Sequence, residues 1–130
     1  MKKRMLLLLS AILLTACGQV KESDQEAVYV NITVEEAKQI MDTEESYIIL
    51  DVRTQEEYDQ GHIPGAILIP DTEIEAQAQE ALPDKDQMIL VYCRSGRRSK
   101  LAAEILVELG YTKIREFGGI IDWPYEVEGW

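Results

Sequence analysis

Histidine occurs once in these 130 residues, cysteine twice and proline four times. A single imidazole at His62 and two thiols far apart at Cys17 and Cys93 do not make a clustered ligand set, so no metal is expected. Two cysteines allow at most one disulfide. Basic residues are also scarce: 13 Lys and Arg stand against 24 Asp and Glu, a formal charge of −11. A surface of that sign repels nucleic acid and anionic lipid head groups, which excludes both as partners. Internal repeats and low-complexity tracts are absent. The one long apolar run, Met5 to Leu14, is too short to span a bilayer.

That run has a meaning of its own. The basic head Met1-Lys2-Lys3-Arg4, the apolar middle and the small residues before Cys17 make a secretory signal. Leu14-Thr15-Ala16-Cys17 resembles the lipobox of bacterial lipoproteins. The resemblance implies removal of residues 1–16, a diacylglycerol thioether on Cys17 and acylation of its new amino group. It also implies a lipid anchor in a membrane of the bacterial cell envelope, facing the periplasm or the exterior. Three basic residues and no acid leave with the signal, so 10 basic and 24 acidic residues remain, a formal −14. Gly18 to Ala27 is polar and without period, a flexible tether. The expected division is a signal peptide at 1–16, a lipidated cysteine and tether at 17–27, and one compact domain at 28–130. With the Cys17 sulfur occupied, Cys93 is the only free thiol and has no resolving partner in the chain.

Apolar runs alternate with helical patterns through that domain. Val28–Ile32 predicts a strand, and Thr33-x-x-Glu36 a capping box opening a helix lined by Val34, Ala37, Ile40 and Met41. Tyr47–Leu50 predicts a strand covered on both faces. Thr54-x-x-Glu57 predicts a second capped helix, stopped by Gly61, and Ala66–Ile69 a third strand. Thr72-x-x-Glu75 predicts another cap, with Ile74, Ala78 and Leu82 toward the core. Met88–Tyr92 predicts a buried strand, and Leu101, Ala102, Ile105, Leu106 and Leu109 one face of the helix that follows. Lys113–Glu116 predicts a last strand, and Ile120–Trp123 a single helical turn. The alternation implies an α/β domain with a mainly parallel sheet and its active loops at the carboxyl ends of the strands.

Cys93 opens the most informative run, Cys93-Arg94-Ser95-Gly96-Arg97-Arg98-Ser99. Its thiol stands where a strand passes into a helix, beside backbone N–H groups and the helix's partial positive charge. Three guanidinium groups add to that field, and together they favour the nucleophilic thiolate. Gly96 permits a positive φ that turns amides inward, and Ser99 is placed to cap the helix. Amides in such a ring hold an anionic sulfur where an apolar pocket could not. Arg94, Arg97 and Arg98 can meet an anionic donor, Arg94 and Arg98 being favoured for contact. Each of them also suits a solvated surface charge or a salt bridge to the acidic body.

Four blocks carry a resemblance to one family. They are Asp51-Val52-Arg53 with Glu56-Glu57-Tyr58, Gly61-His62-Ile63-Pro64-Gly65-Ala66, the Cys93–Ser99 loop, and Gly118-Gly119 with Trp123. In order and spacing they resemble rhodanese domains, and the chain is most similar to small exported single-domain sulfurtransferases. The resemblance implies an α/β fold with about five mainly parallel strands and helices on both faces. It implies that Cys93 takes the outer sulfur of a small anionic donor such as thiosulfate and holds it as a persulfide. A thiol or cyanide then removes the sulfur, with no cofactor. Arg94, Ser95, Gly96, Arg97 and Arg98 would hold substrate, with Asp51, Arg53 and Ser99 ordering the loop. His62 belongs to a fixed turn, and Trp123 and Tyr125 to the edge of the core.

Two other readings stand beside it. Cysteine phosphatases and arsenate reductases use Cys-x5-Arg, but that position here is Ser99, and the last arginine of the loop is Arg98. A sulfur carrier or binding module serving a protein acceptor would keep the same loop. Turnover distinguishes it, because a carrier loads once and needs its partner.

Overall fold

The computed structural model describes residues 28–129. The expected signal peptide, Cys17 and the tether to residue 27 lie outside the described residues. Five strands form one sheet: β1 (Val30–Asn31), β2 (Ile48–Asp51), β3 (Ile67–Leu68), β4 (Ile89–Cys93) and β5 (Ile114–Gly119). Their order is β1-β5-β4-β2-β3, and every pairing is parallel. Four helices connect them: α1 (Val34–Thr43), α2 (Gln55–Asp59), α3 (Ile74–Ala81) and α4 (Arg97–Glu108). The fold is the α/β architecture that the alternation of runs implies.

β4 lies at the centre and all five of its residues are buried, as a continuous apolar run covered on both faces demands. Its side chains alternate between two cores. Ile89, Val91 and Cys93 join Leu50, Ile74, Ala78, Ala102, Ala103 and Leu106 beneath α3 and α4. Leu90 and Tyr92 join Ala37, Ile49, Ile63, Phe117 and Trp123 on the side of α1. Each fully buried aliphatic side chain contributes about 1.5–3 kcal/mol, so β4 is held rigidly behind the loop it carries. Tyr111 anchors the outer helices: its hydroxyl donates to the carbonyls of Ala78 (3.0 Å) and Leu82 (2.6 Å) at the end of α3.

Both capping boxes at Thr33 and Thr54 form, each threonine accepting from the third helical N–H while the glutamate there reaches back. The box expected at Thr72 does not. Asp71 N–H already donates to Val52 O at 2.9 Å, and Glu73 N–H to Pro70 O at 2.7 Å. The chain therefore turns as a 3-10 helix over Asp71–Glu73, and α3 starts at Ile74 with no side-chain cap. Leu101 also departs from expectation, being 50% exposed. α4 buries Ser99, Ala102, Ala103 and Leu106 instead, an i, i+3, i+4, i+7 face of mostly small residues that lets the helix lie close to the sheet.

Candidate active site

Cys93 ends β4, and its side chain is 1% exposed on the α4 side of the sheet. Its sulfur accepts a hydrogen bond from Gly96 N–H at 3.0 Å. Gly96 makes this contact by adopting φ +110°, which folds the chain back over the sulfur and places Gly96 at the head of α4. The first amides of α4 have no carbonyl partner within the helix, and the helix dipole adds positive potential at the same end. Those groups suit an anion on or beside the sulfur.

Ser99 does not cap the helix. Gly96 occupies that place, and Ser99 is the third helical residue, wholly buried. Its hydroxyl lies 2.5 Å from Glu116 Oε2, 3.1 Å from Gly96 O and 3.3 Å from Gly118 O, and its oxygen accepts from the Cys93 thiol at 3.4 Å. The serine thus ties the loop to β5 beneath it. Glu116 is a site residue that the sequence reading passed over. It lies two residues after Ile114, on the same buried face of β5.

Gly119 brings β5 against the loop. A Cβ there would stand 1.9 Å from Arg94 O and 2.6 Å from Ser95 Cα, so only glycine admits this approach. Ile121 N–H then donates to Arg94 O at 3.2 Å.

The three loop arginines separate. Arg98 is bound to both oxygens of Glu57, at 2.8 and 3.0 Å. That pairing holds Glu57 down at about 2; burial opposes the shift, and Thr54 N–H and hydroxyl contacts add to it. The same hydrogen bond raises Arg98 against the opposing effect of burial. Arg94 and Arg97 are exposed and make no ion pair among the described residues. Arg94 lines a cleft of about 360 Å³ together with Arg53, Glu57, Gly61, Ile121 and Val127. Cys93, next to Arg94 in the chain and 1% exposed, is not among the residues that line it. Ser95 is exposed between Arg94 and Gly96.

Asp51 and Arg53 form a buried pair, with Arg53 Nη2 2.7 Å from Asp51 Oδ2 and Arg53 N–H 2.9 Å from Oδ1. Burial alone would depress the guanidinium; the hydrogen bond and charge of Asp51 raise it instead. Arg53 also donates to Gly61 O at 2.8 Å, and Asp51 accepts from the Tyr92 hydroxyl at 2.6 Å. Burial, with the Asp51 charge behind it, pushes the Tyr92 phenol far up, so it stays a donor. The described bonds of the pair therefore reach Tyr92, next to Cys93, and the turn at Gly61, but not the loop itself. His62 stacks on Tyr58 with ring centres 3.7 Å apart and donates from Nδ1 to Tyr58 O at 2.9 Å, a turn-holding arrangement. Trp123 is 9% exposed and packs edge-on against Tyr125, itself 38% exposed.

The Rhodanese-like domain matches residues 33–124. Thiosulfate sulfurtransferase PspE of Escherichia coli is 47% identical over 73 residues, covering 56% of this chain and 70% of that protein. A Bacillus subtilis protein provisionally named as a sulfur carrier, YrkF, is 39% identical over 112 residues; they cover 85% of this chain but only 60% of that longer relative. Among solved structures, an E. coli rhodanese with anions superposes with a TM-score of 0.60 at 41% identity, covering 64% of this chain and 98% of that one. A rhodanese-related protein from Thermoplasma volcanium gives 0.68 at 30% identity, covering 78% and 100%.

Proposed function

This chain belongs to the rhodanese-like domain family, and from that membership we propose a sulfurtransferase that moves sulfane sulfur from thiosulfate or a related anionic donor to a thiophilic acceptor through a persulfide on Cys93. The observation that carries this reading is the Gly96 N–H, 3.0 Å from a sulfur shielded at the head of α4. In the loading step the Cys93 thiolate attacks the outer sulfur of thiosulfate. The donor's S–S bond breaks, its electron pair leaves with sulfite, and a new S–S bond forms on Cys93. In the second step cyanide or a thiolate attacks the outer sulfur and returns Cys93 to the thiolate. Amides at the helix head hold the persulfide charge without reorganising.

The pairing of Arg98 weighs against phosphoryl transfer, since the last arginine of the loop is already gripped by both oxygens of Glu57. Among the described residues Arg94 and Arg97 are both left unpaired, and Arg94, which lines the cleft, is the better placed to meet an incoming anion. We also extend the reading to the amino terminus: residues 1–16 as a lipoprotein signal and Cys17 as the lipid anchor to the cell envelope. Metabolic labelling with a radioactive fatty acid tests this, and Cys17→Ser should abolish incorporation.

The enzymatic proposal is tested by thiocyanate formation from thiosulfate and cyanide. Wild type should turn over many times per molecule, and Cys93→Ser should reduce turnover to background while the fold is retained. Activity of Cys93→Ser near wild type would refute it. A single turnover per molecule would instead identify a carrier that depends on a protein acceptor.

A further inference from the structure

Glu116 is a carboxylate with no exposed surface, on β5 in register with Val91 of β4. Its Oε2 accepts from Gly118 N–H at 2.8 Å and from the Ser99 hydroxyl at 2.5 Å. Its Oε1 accepts from the Asn31 amide, with the Lys100 ammonium 3.9 Å away. Every polar neighbour is a donor or a cation, the environment of an ionised carboxylate.

This arrangement settles the direction of the Ser99 hydroxyl. Ser99 has one proton and three oxygen acceptors within reach, Glu116 and the carbonyls of Gly96 and Gly118, while Cys93 Sγ donates to its oxygen from 3.4 Å. A charged oxygen at 2.5 Å outcompetes the others. Ser99 therefore turns lone pairs, not a proton, toward the sulfur. The contacts of 2.5 and 3.4 Å laid end to end put Oε2 no more than 5.9 Å from Sγ. On that side the sulfur meets a lone pair backed by a negative charge.

We propose that Glu116 is a positioning residue that biases Cys93 toward its sulfur-loaded state. The inference rests on the persulfide reading above and deepens it. In the free thiolate the negative charge sits on Sγ; in the persulfide it sits largely on the outer sulfur, about 2 Å further along the new bond. Ser99 and Glu116 fill the inner side, so the outer sulfur projects away from them. Loading exchanges one anion for another, Cys–S⁻ plus thiosulfate giving Cys–S–S⁻ plus sulfite, with charge conserved. Glu116 opposes the first enzyme form more than the second. Taken at that 5.9 Å limit and an effective dielectric of about 20, moving a unit charge outward to about 8 Å from the carboxylate favours loading roughly threefold.

The test equilibrates full-length protein, at a pH high enough for free Cys93 to be the thiolate, with fixed ratios of thiosulfate to sulfite and reads the persulfide fraction by mass spectrometry. Glu116→Gln keeps size and hydrogen bonding, with the Asn31 amide free to turn its oxygen inward, and removes only the charge. It should lower the ratio of loaded to free Cys93 about threefold. Should Glu116→Gln fail to fold, Glu116→Asp against Glu116→Asn makes the same comparison, the asparagine variant loading less. Equal or greater loading in the uncharged member of the pair overturns the inference. Wild type that takes up no sulfur at any ratio overturns the persulfide reading instead.

Discussion

Gly118 and Gly119 are neighbours, yet alanine at each should fail for a different reason and to a different extent. At Gly119 the added carbon would lie 1.9 Å from Arg94 O, where ordinary contact begins at 3.4 Å, so strand and loop must separate by about 1.5 Å. Overpacking of this kind costs about 1–3 kcal/mol. The Ile121 N–H to Arg94 O bond is lost with it, adding about 1 kcal/mol. A domain with roughly 5–15 kcal/mol of stability survives a loss of about 2–4, with Tm lower by roughly 10–30 °C. The loop, however, is moved by more than the ~1 Å that costs about a hundredfold in rate. At Gly118 a Cβ meets nothing within 4 Å, and the penalty is the left-handed φ of +87° alone, about 1–2 kcal/mol. Thermal unfolding and thiosulfate turnover should therefore show Gly119→Ala folded but nearly inactive and Gly118→Ala mildly destabilised and active. The reverse order, or full activity in Gly119→Ala, would refute the claim that β5 shapes the loop by backbone contact.

The remaining expectations concern charge. Glu57 is held near 2 when folded and returns to the ordinary carboxylate range when unfolded, so its contribution is complete above about pH 4.3 and lost as pH falls through about 2. The pair is about one quarter exposed, which limits it to about 1 kcal/mol. Urea unfolding should show wild type more stable than Glu57→Gln at pH 7, with the gap narrowing as pH falls below about 4.3 and closing only below about 2; a constant gap would contradict the assignment. Arg94→Ala should raise the thiosulfate KM several-fold and flatten its dependence on ionic strength. Arg98→Ala should chiefly lower stability by freeing Glu57, and steady-state kinetics at two salt concentrations separate the two.

What was legible from the sequence was whatever is local. The Thr33 and Thr54 capping boxes formed because each needs only four consecutive residues. The buried β4 run and the cysteine at its end were readable for the same reason. Thr72 failed because Pro70 and the Val52 carbonyl begin the turn one residue earlier, a contact made across the chain. Ser99 looked like a cap because serine often caps helices, but Gly96 could take the left-handed conformation and end the loop sooner. The division of labour among the arginines depends on Glu57, 41 residues from Arg98, and no spacing rule reaches that far. Glu116 stayed hidden because a single acid in a short strand looks like a solvent-facing position until the strand is covered on both faces.

Sulfur transfer by this chain requires Cys93 to accept a second sulfur, and mass spectrometry of the protein after exposure to thiosulfate measures that directly. A gain of about 32 Da, confined to the peptide containing Cys93 and removed by cyanide, is the predicted result. An unchanged mass, or the same gain in Cys93→Ser, would contradict it.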